Sequence, residues 1–114
     1  MEKTPAPELI AGVRRFVEMV DGPWAALILA QLCSGGRRRF SELREALPGI
    51  SPHTLTRRLR QFEEAGIVSR VYYAEMPPRV EYELTPLGRT MRPVLERMSD
   101  WGLDAANATQ PTKP

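Results

Sequence analysis

Arg57, Arg58 and Arg60 fall within four positions of one segment, ISPHTLTRRLRQFEEAG (residues 50–66), which also holds Ser51, His53, Thr54 and Thr56. Guanidinium groups and hydroxyls in this density suit anion and base-edge recognition. An arginine can hold guanine O6 and N7 through two hydrogen bonds, and Ser or Thr can reach phosphates or bases. The chain shows no nucleophile–base arrangement, glycine-rich phosphate loop or clustered carboxylate pair, so binding rather than catalysis is expected. One histidine, His53, and one cysteine, Cys33, stand 20 positions apart and make no metal set, so neither metal nor cofactor is expected.

A helix must present these groups. At about 100° per residue, Leu55, Leu59 and Phe62 lie within about 60° of one another and form an inward stripe. Measured from Leu55, His53 falls at about 160°, Arg57 at about 200° and Arg60 at about 140°, on the opposite side. Thr54 and Thr56 flank that ridge. Arg58, at about 300°, lies nearer the core edge, where it either pairs locally or reaches a phosphate. A solvated face held by Arg60–Glu63 and Arg60–Glu64 pairs is the plainer account. Such pairs contribute only about 0.2–0.5 kcal/mol each, and the better order places the acid first. Here the base comes first, and both acids sit in the last turn, where the helix dipole disfavours them. Duplex DNA explains this layout better.

The wider charge pattern agrees. Residues 37–79 hold nine arginines against five glutamates, a local +4 in a chain of net charge +2. A basic middle between mildly acidic flanks points to a local anionic partner. With 42% hydrophobic and 26% charged residues, the 114-residue chain has the composition of one globular domain rather than a disordered one. A single cysteine allows no intrachain disulfide, which fits a reducing cytoplasm. The first residues, MEKTPAP, lack the basic-then-apolar form of a secretory signal. The longest apolar run, residues 24–30, is far short of the roughly 18 residues of a membrane span. A cytoplasmic, membrane-free protein is the expectation.

The elements follow in order. Residues 1–7 read as a flexible arm and 8–20 as a helix with Leu9, Val13, Phe16 and Val20 on one stripe. After Asp21-Gly22-Pro23, a helix carrying Trp24, Leu27, Ile28 and Leu32 is apolar around much of its circumference and should be buried. Arg37-Arg38-Arg39 leads into a short helix with Phe40, Leu43 and Leu47. Ser51 caps the next helix, Pro52 opens it and Gly66 ends it. The period then switches to two: residues 67–73 and 80–84 read as strands around a tip at 74–79. Thr85-Pro86 starts a last helix, 86–101, carrying Leu87, Met91, Val94, Leu95, Met98 and Trp101. Gly102 is expected to close it, leaving a flexible polar tail at 103–114.

Three compact helices followed by a two-stranded ribbon define the expected fold: mainly α with a two-stranded β wing, a winged helix-turn-helix with additional N- and C-terminal helices. The domain spans residues 8–102. Its first and last helices (8–20 and 86–101) carry more apolar surface than a three-helix core easily buries, so they are expected to form a dimer contact.

Several motifs make the pattern more specific. RFSEL (39–43), LPGIS (47–51), LTRRL (55–59), EAGIV (64–68), PPRVEY (77–82) and LTPLG (84–88), with the Gly-Pro-Trp helix before them, closely resemble the HxlR-type family of bacterial winged helix-turn-helix transcription regulators, over roughly residues 13–102. The resemblance implies a homodimer, with helix 51–65 in the major groove and hairpin 67–84 as wing. It implies recognition by Ser51, His53, Thr54, Thr56 and Arg57, and contact of Arg79 at the wing tip with the minor groove or its phosphates. Arg70, Arg37, Arg38 and Arg39 are further candidates for backbone contacts. His53 is equally compatible with simple exposure, and Tyr72 and Tyr73 with wing packing. Two departures stand out. The family usually has Gly-Gly-Lys-Trp where this chain has Asp21-Gly22-Pro23-Trp24, so one lysine is missing. Many members also carry a Cys-Pro in the N-terminal arm, where this chain has no cysteine, and Cys33 reads as a small core residue.

The expected function is therefore sequence-specific binding of double-stranded DNA, at an inverted-repeat operator, by a homodimeric transcription regulator. The rival is a winged-helix protein–protein interaction module that does not bind DNA.

Overall fold

The computed structural model describes residues 6–109. Helix α2 (Pro23–Gly35) is its spine: Ala25, Ile28, Leu29 and Leu32, at the i, i+3, i+4, i+7 spacing of one helix face, are all at most 2% exposed. Helix α3 (Phe40–Ala46) adds Leu43 to this core, and helix α4 (Pro52–Glu64) adds Leu55, Leu59 and Phe62. Helix α1 (Pro7–Met19) lies before α2, and α3 and α4 are joined by the turn around Pro48-Gly49.

The ends of α4 follow from local chemistry. The Ser51 hydroxyl accepts from the Thr54 N–H at 3.0 Å, satisfying one of the first-turn donors, and Pro52 follows where no donor is needed. At the other end Gly66 takes φ +80°, and the Ile67 and Gly66 N–H groups donate to the Phe62 and Glu63 carbonyls at 3.0 Å each. That paired closure requires a left-handed residue, which glycine supplies without strain.

The wing consists of β2 (Val68–Tyr73) and β3 (Arg79–Leu84), antiparallel, in a register running from Val68 opposite Leu84 to Tyr73 opposite Arg79. The sheet has a third strand that the periodicity did not show. Strand β1 (Arg38–Arg39) pairs with β3, Arg38 opposite Tyr82 and Arg39 opposite Glu81, giving the order β1-β3-β2. Two residues are too few to display a period of two, so only the approach of β3 defines them as a strand.

The C-terminal segment also differs from expectation. Residues 86–101 do not form one helix: α5 (Pro86–Arg89) stops, and α6 (Arg92–Thr109) begins after Thr90 and Met91. Gly102 does not end α6, because it keeps right-handed dihedrals and the following residues, with Ala105, Ala106 and Ala108 among them, are good helix formers. Residues 103–109, read as tail, are helical. Residues 1–5 of the expected arm and 110–114 of the expected tail lie outside the described residues.

Much of each outer helix stands off the core. Helix α1 buries no residue, and Leu9, Ile10, Val13 and Val17 are each more than half exposed. Along α5 and α6, Leu87, Val94, Met98, Trp101 and Leu103 are exposed as well. The radius of gyration, 17.1 Å, exceeds the roughly 13 Å of a compact domain of about 100 residues, as projecting helices require. Leu95, expected at a subunit contact, is instead 9% exposed within the chain's own core, and Met91 packs against that core. The short α5 turns the chain so that the start of α6 meets α2.

Candidate nucleic-acid interface

Burial of Leu55, Leu59 and Phe62 leaves His53, Arg57 and Arg60 exposed on the opposite face of α4, with Thr54 and Thr56 half-buried beside them. His53, Thr56, Arg57, Arg60, Gln61 and Glu64 line one shallow depression on that face. Neither Arg57 nor Arg60 forms an ion pair among the described residues, and the Arg60–Glu63 and Arg60–Glu64 pairs of the plainer account do not form. The guanidinium charges of the ridge thus remain available to an outside anion. Ser51 and Thr54 are engaged with each other: the Ser51 hydroxyl caps α4 and donates to Thr54 Oγ1 at 2.9 Å.

Arg58 does not belong to this ridge. Its Nη1 donates to Gln61 Oε1 at 3.0 Å, its guanidinium lies against Gly22 in the α1–α2 corner, and its Nε is buried without a partner among the described residues. Of the two positions left open by the helical wheel, local pairing is the one adopted.

The wing arginines are held differently from Arg57 and Arg60. Arg79 is not free at the tip; it is the first residue of β3, opposite Tyr73. Its Nε donates to Glu81 Oε2 at 2.9 Å, its Nη1 donates to Glu75, and its guanidinium lies 4.1 Å from the centre of the Tyr73 ring. Met76, 95% exposed, occupies the tip instead. Arg37 grips Glu83 with two hydrogen bonds, 3.1 and 3.2 Å, and donates to the Tyr73 hydroxyl. Arg37 and Arg39 each approach Glu81 at 3.8 Å. Hydrogen bonds to Glu83 and to Glu81, respectively, raise the pKa of Arg37 and Arg79 above the usual arginine value. Arg38 is half-buried against Gly35, with its Nε unpartnered among the described residues. Arg70 is exposed on β2.

The acids Glu75, Glu81 and Glu83 were not foreseen as partners of these arginines. A signal did exist: Arg79, Glu81 and Glu83 alternate along β3 and so share one face. The contribution of Arg37 and Arg39 from 42 or more residues away could not be read from that alternation.

Cys33 is a free, half-buried thiol at the end of α2, and burial pushes its pKa up, so it is not an activated thiolate. Its carbonyl accepts from Arg92 Nη2, tying the start of α6 to the end of α2. Among the described residues no cluster of His, Cys, Asp and Glu could hold a metal ion, and no single helix is long and apolar enough to cross a membrane.

A helix-turn-helix formed by α3 and α4 on the α2 spine, followed by a β-hairpin, defines a winged helix-turn-helix protein. The chain belongs to the HxlR-like helix-turn-helix family, whose model matches residues 19–110. It is 47% identical over 95 residues to an uncharacterized HTH-type transcriptional regulator of Synechocystis, covering 83% of this chain and 70% of that one. It is 40% identical over 90 residues to the HTH-type transcriptional regulator YdeP of Bacillus subtilis, also uncharacterized, covering 79% and 70%. Its backbone matches that of the redox regulator HypR in its reduced form with a TM-score of 0.80 at 35% identity, covering 85% of this chain and 95% of that one. The family and these relatives are transcriptional regulators, not enzymes.

Proposed function

We propose that this protein is a homodimeric regulator that binds an inverted-repeat operator in double-stranded DNA, with α4 in the major groove and the wing along the minor groove or backbone. The observation that carries the reading is the ridge of His53, Arg57 and Arg60, exposed on α4 with both guanidinium groups unpaired by any acid among the described residues. Bidentate contact with guanine is the chemistry such arginines provide. Arg70, and Arg37, Arg38 and Arg39 at the wing base, supply backbone contacts. Acting on the chromosome places the protein in the bacterial cytoplasm.

The dimer reading rests on the uncovered apolar faces. Leu9 and Val13 on α1, with Leu87, Val94, Met98 and Trp101 on α5 and α6, are exposed and, together with half-buried Phe16, would be covered by a second copy; large exposed apolar patches mark such contacts. A two-fold dimer would set its recognition helices about 34 Å apart, matching half-sites one helical turn apart.

Footprinting on the DNA flanking its own gene, followed by anisotropy titration across a salt series, tests the reading. Protection of an inverted repeat and a steep loss of affinity with salt are expected. Failure to bind any duplex at low salt would exclude it in favour of a protein–protein module.

A further inference from the structure

We propose that Glu81 is an internal competitor for DNA phosphate, setting how strongly the wing engages the backbone. This rests on the DNA-binding reading above and adds a determinant to it. Three arginines from two strands and the loop before them converge on this carboxylate: Arg79 at 2.9 Å, and Arg37 and Arg39 at 3.8 Å each. The Glu81 side chain is 15% exposed, against 28% for Arg79, 44% for Arg37 and 52% for Arg39. The acid therefore lies beneath the cations, and solvent reaches the cations first. Glu75 and Glu83 complete the set, so three arginines face three glutamates and this face of the wing carries no net charge.

The contrast with α4 gives the arrangement its consequence. Arg57 and Arg60 face outward without acidic partners among the described residues, while Arg37, Arg39 and Arg79 are already paired with acids. Surface ion pairs are weak, so a phosphate can exchange with a glutamate. Each exchange leaves a carboxylate uncovered beside DNA, which repels phosphate or takes up a cation. That uptake offsets part of the counterion release that drives binding to any duplex. Attraction to random DNA is thereby damped, whereas contacts of the α4 ridge with bases are not. Specificity is a difference of affinities, and weakening the unspecific member widens it.

Glu81→Gln tests the assignment, because it keeps the shape of the side chain and removes the charge. Relative to wild type, random duplex should bind roughly 3–10-fold tighter at low salt, and the slope of log affinity against log salt should steepen by about 0.9, the value for one more phosphate neutralised. The ratio of operator to random affinity should fall. Asp100→Asn on α6 makes the same change in net charge away from the wing and should leave both readouts unchanged. Glu75→Gln, at the exposed tip, should move both in the direction of Glu81→Gln by a smaller step, which keeps the test decisive if Glu81→Gln folds poorly. Wild-type slope and random-duplex affinity in folded Glu81→Gln, or an equal shift in Asp100→Asn, overturns the role of Glu81 alone. Wild-type protein that binds no duplex overturns the DNA reading and this role together.

Discussion

Gly88 and Ile67 meet backbone to backbone: a methyl group on Gly88 would stand 2.1 Å from the Ile67 carbonyl oxygen. That oxygen also accepts from the Thr85 N–H at 3.1 Å, and the Thr85 hydroxyl accepts from the Gly88 N–H at 3.0 Å while donating to the Gly66 carbonyl. The last turn of the wing and the start of α5 are thus locked around the end of α4. Gly88→Ala must push α5 away from Ile67, the residue between Gly66 and β2. It is expected to cost about 1–3 kcal/mol, as overpacking of a closed contact does, read as a lower urea midpoint with an unchanged m value.

Arg57→Ala removes a side chain that is exposed and makes no ion pair among the described residues. Folding stability should change by no more than about 0.5 kcal/mol. Operator affinity should fall by about 1–3 kcal/mol, with base preference relaxed at one position of each half-site. Anisotropy titrations on operator and on single-base variants at one fixed salt concentration check this. Retained preference at every position would remove Arg57 from base readout.

Arg58→Met should separate structure from recognition. Its buried Nε has no partner among the described residues, and an unmet buried donor costs about 1–3 kcal/mol. Methionine keeps the apolar stem and loses that donor along with the Gln61 bond. Thermal unfolding at or above the wild-type midpoint, with sequence preference intact, is expected. A loss of base preference would return Arg58 to the DNA ridge.

Val13→Asp places a charge on the α1 face, where Val13 is 53% exposed. Sedimentation should show monomers where the wild type sediments as a dimer, with the helical content of the domain retained. A wild-type protein that is monomeric at micromolar concentration would exclude this face as the subunit contact.

Cys33 should behave as a protonated thiol at neutral pH. Burial raises its pKa, so alkylation at pH 7 should be slower than for an exposed thiol of pKa about 8.5 and should accelerate only in a more alkaline range. The linkage has a definite sign. Between the unfolded and the raised folded pKa, the folded state binds more protons, so stability is fully present below the unfolded value and declines as pH rises through the folded one. Rapid labelling at pH 7 would contradict the burial seen here.

Much of the site was legible because helical geometry is local. Leu55, Leu59 and Phe62 follow one another at fixed angles, so their burial alone sends His53, Arg57 and Arg60 outward, and Ser51 and Gly66 mark the ends of that helix within their own turns. Arg58, near the core edge, is left open by the same geometry; its hydrogen bond to Gln61 is local, but the seat of its guanidinium against Gly22 depends on a segment far away in the sequence. The end of α6 was misplaced because Gly102 is a weak signal: inside a run of good helix formers, its cost of about 1 kcal/mol does not stop the helix.

Local patterns in the amino-acid sequence suffice for the first four helices, the hairpin that follows them, the inward stripe of α4 and its cationic ridge, since each depends on dihedral preferences and side-chain periods within a few residues. Only the tertiary structure decided that Arg38 and Arg39 form a third strand, that Leu95 belongs to the core, and that Arg37, Arg39 and Arg79 converge on Glu81. Those outcomes require segments separated by tens of residues to meet, and which of them meet is settled by the packing of the whole chain, not by any local angle.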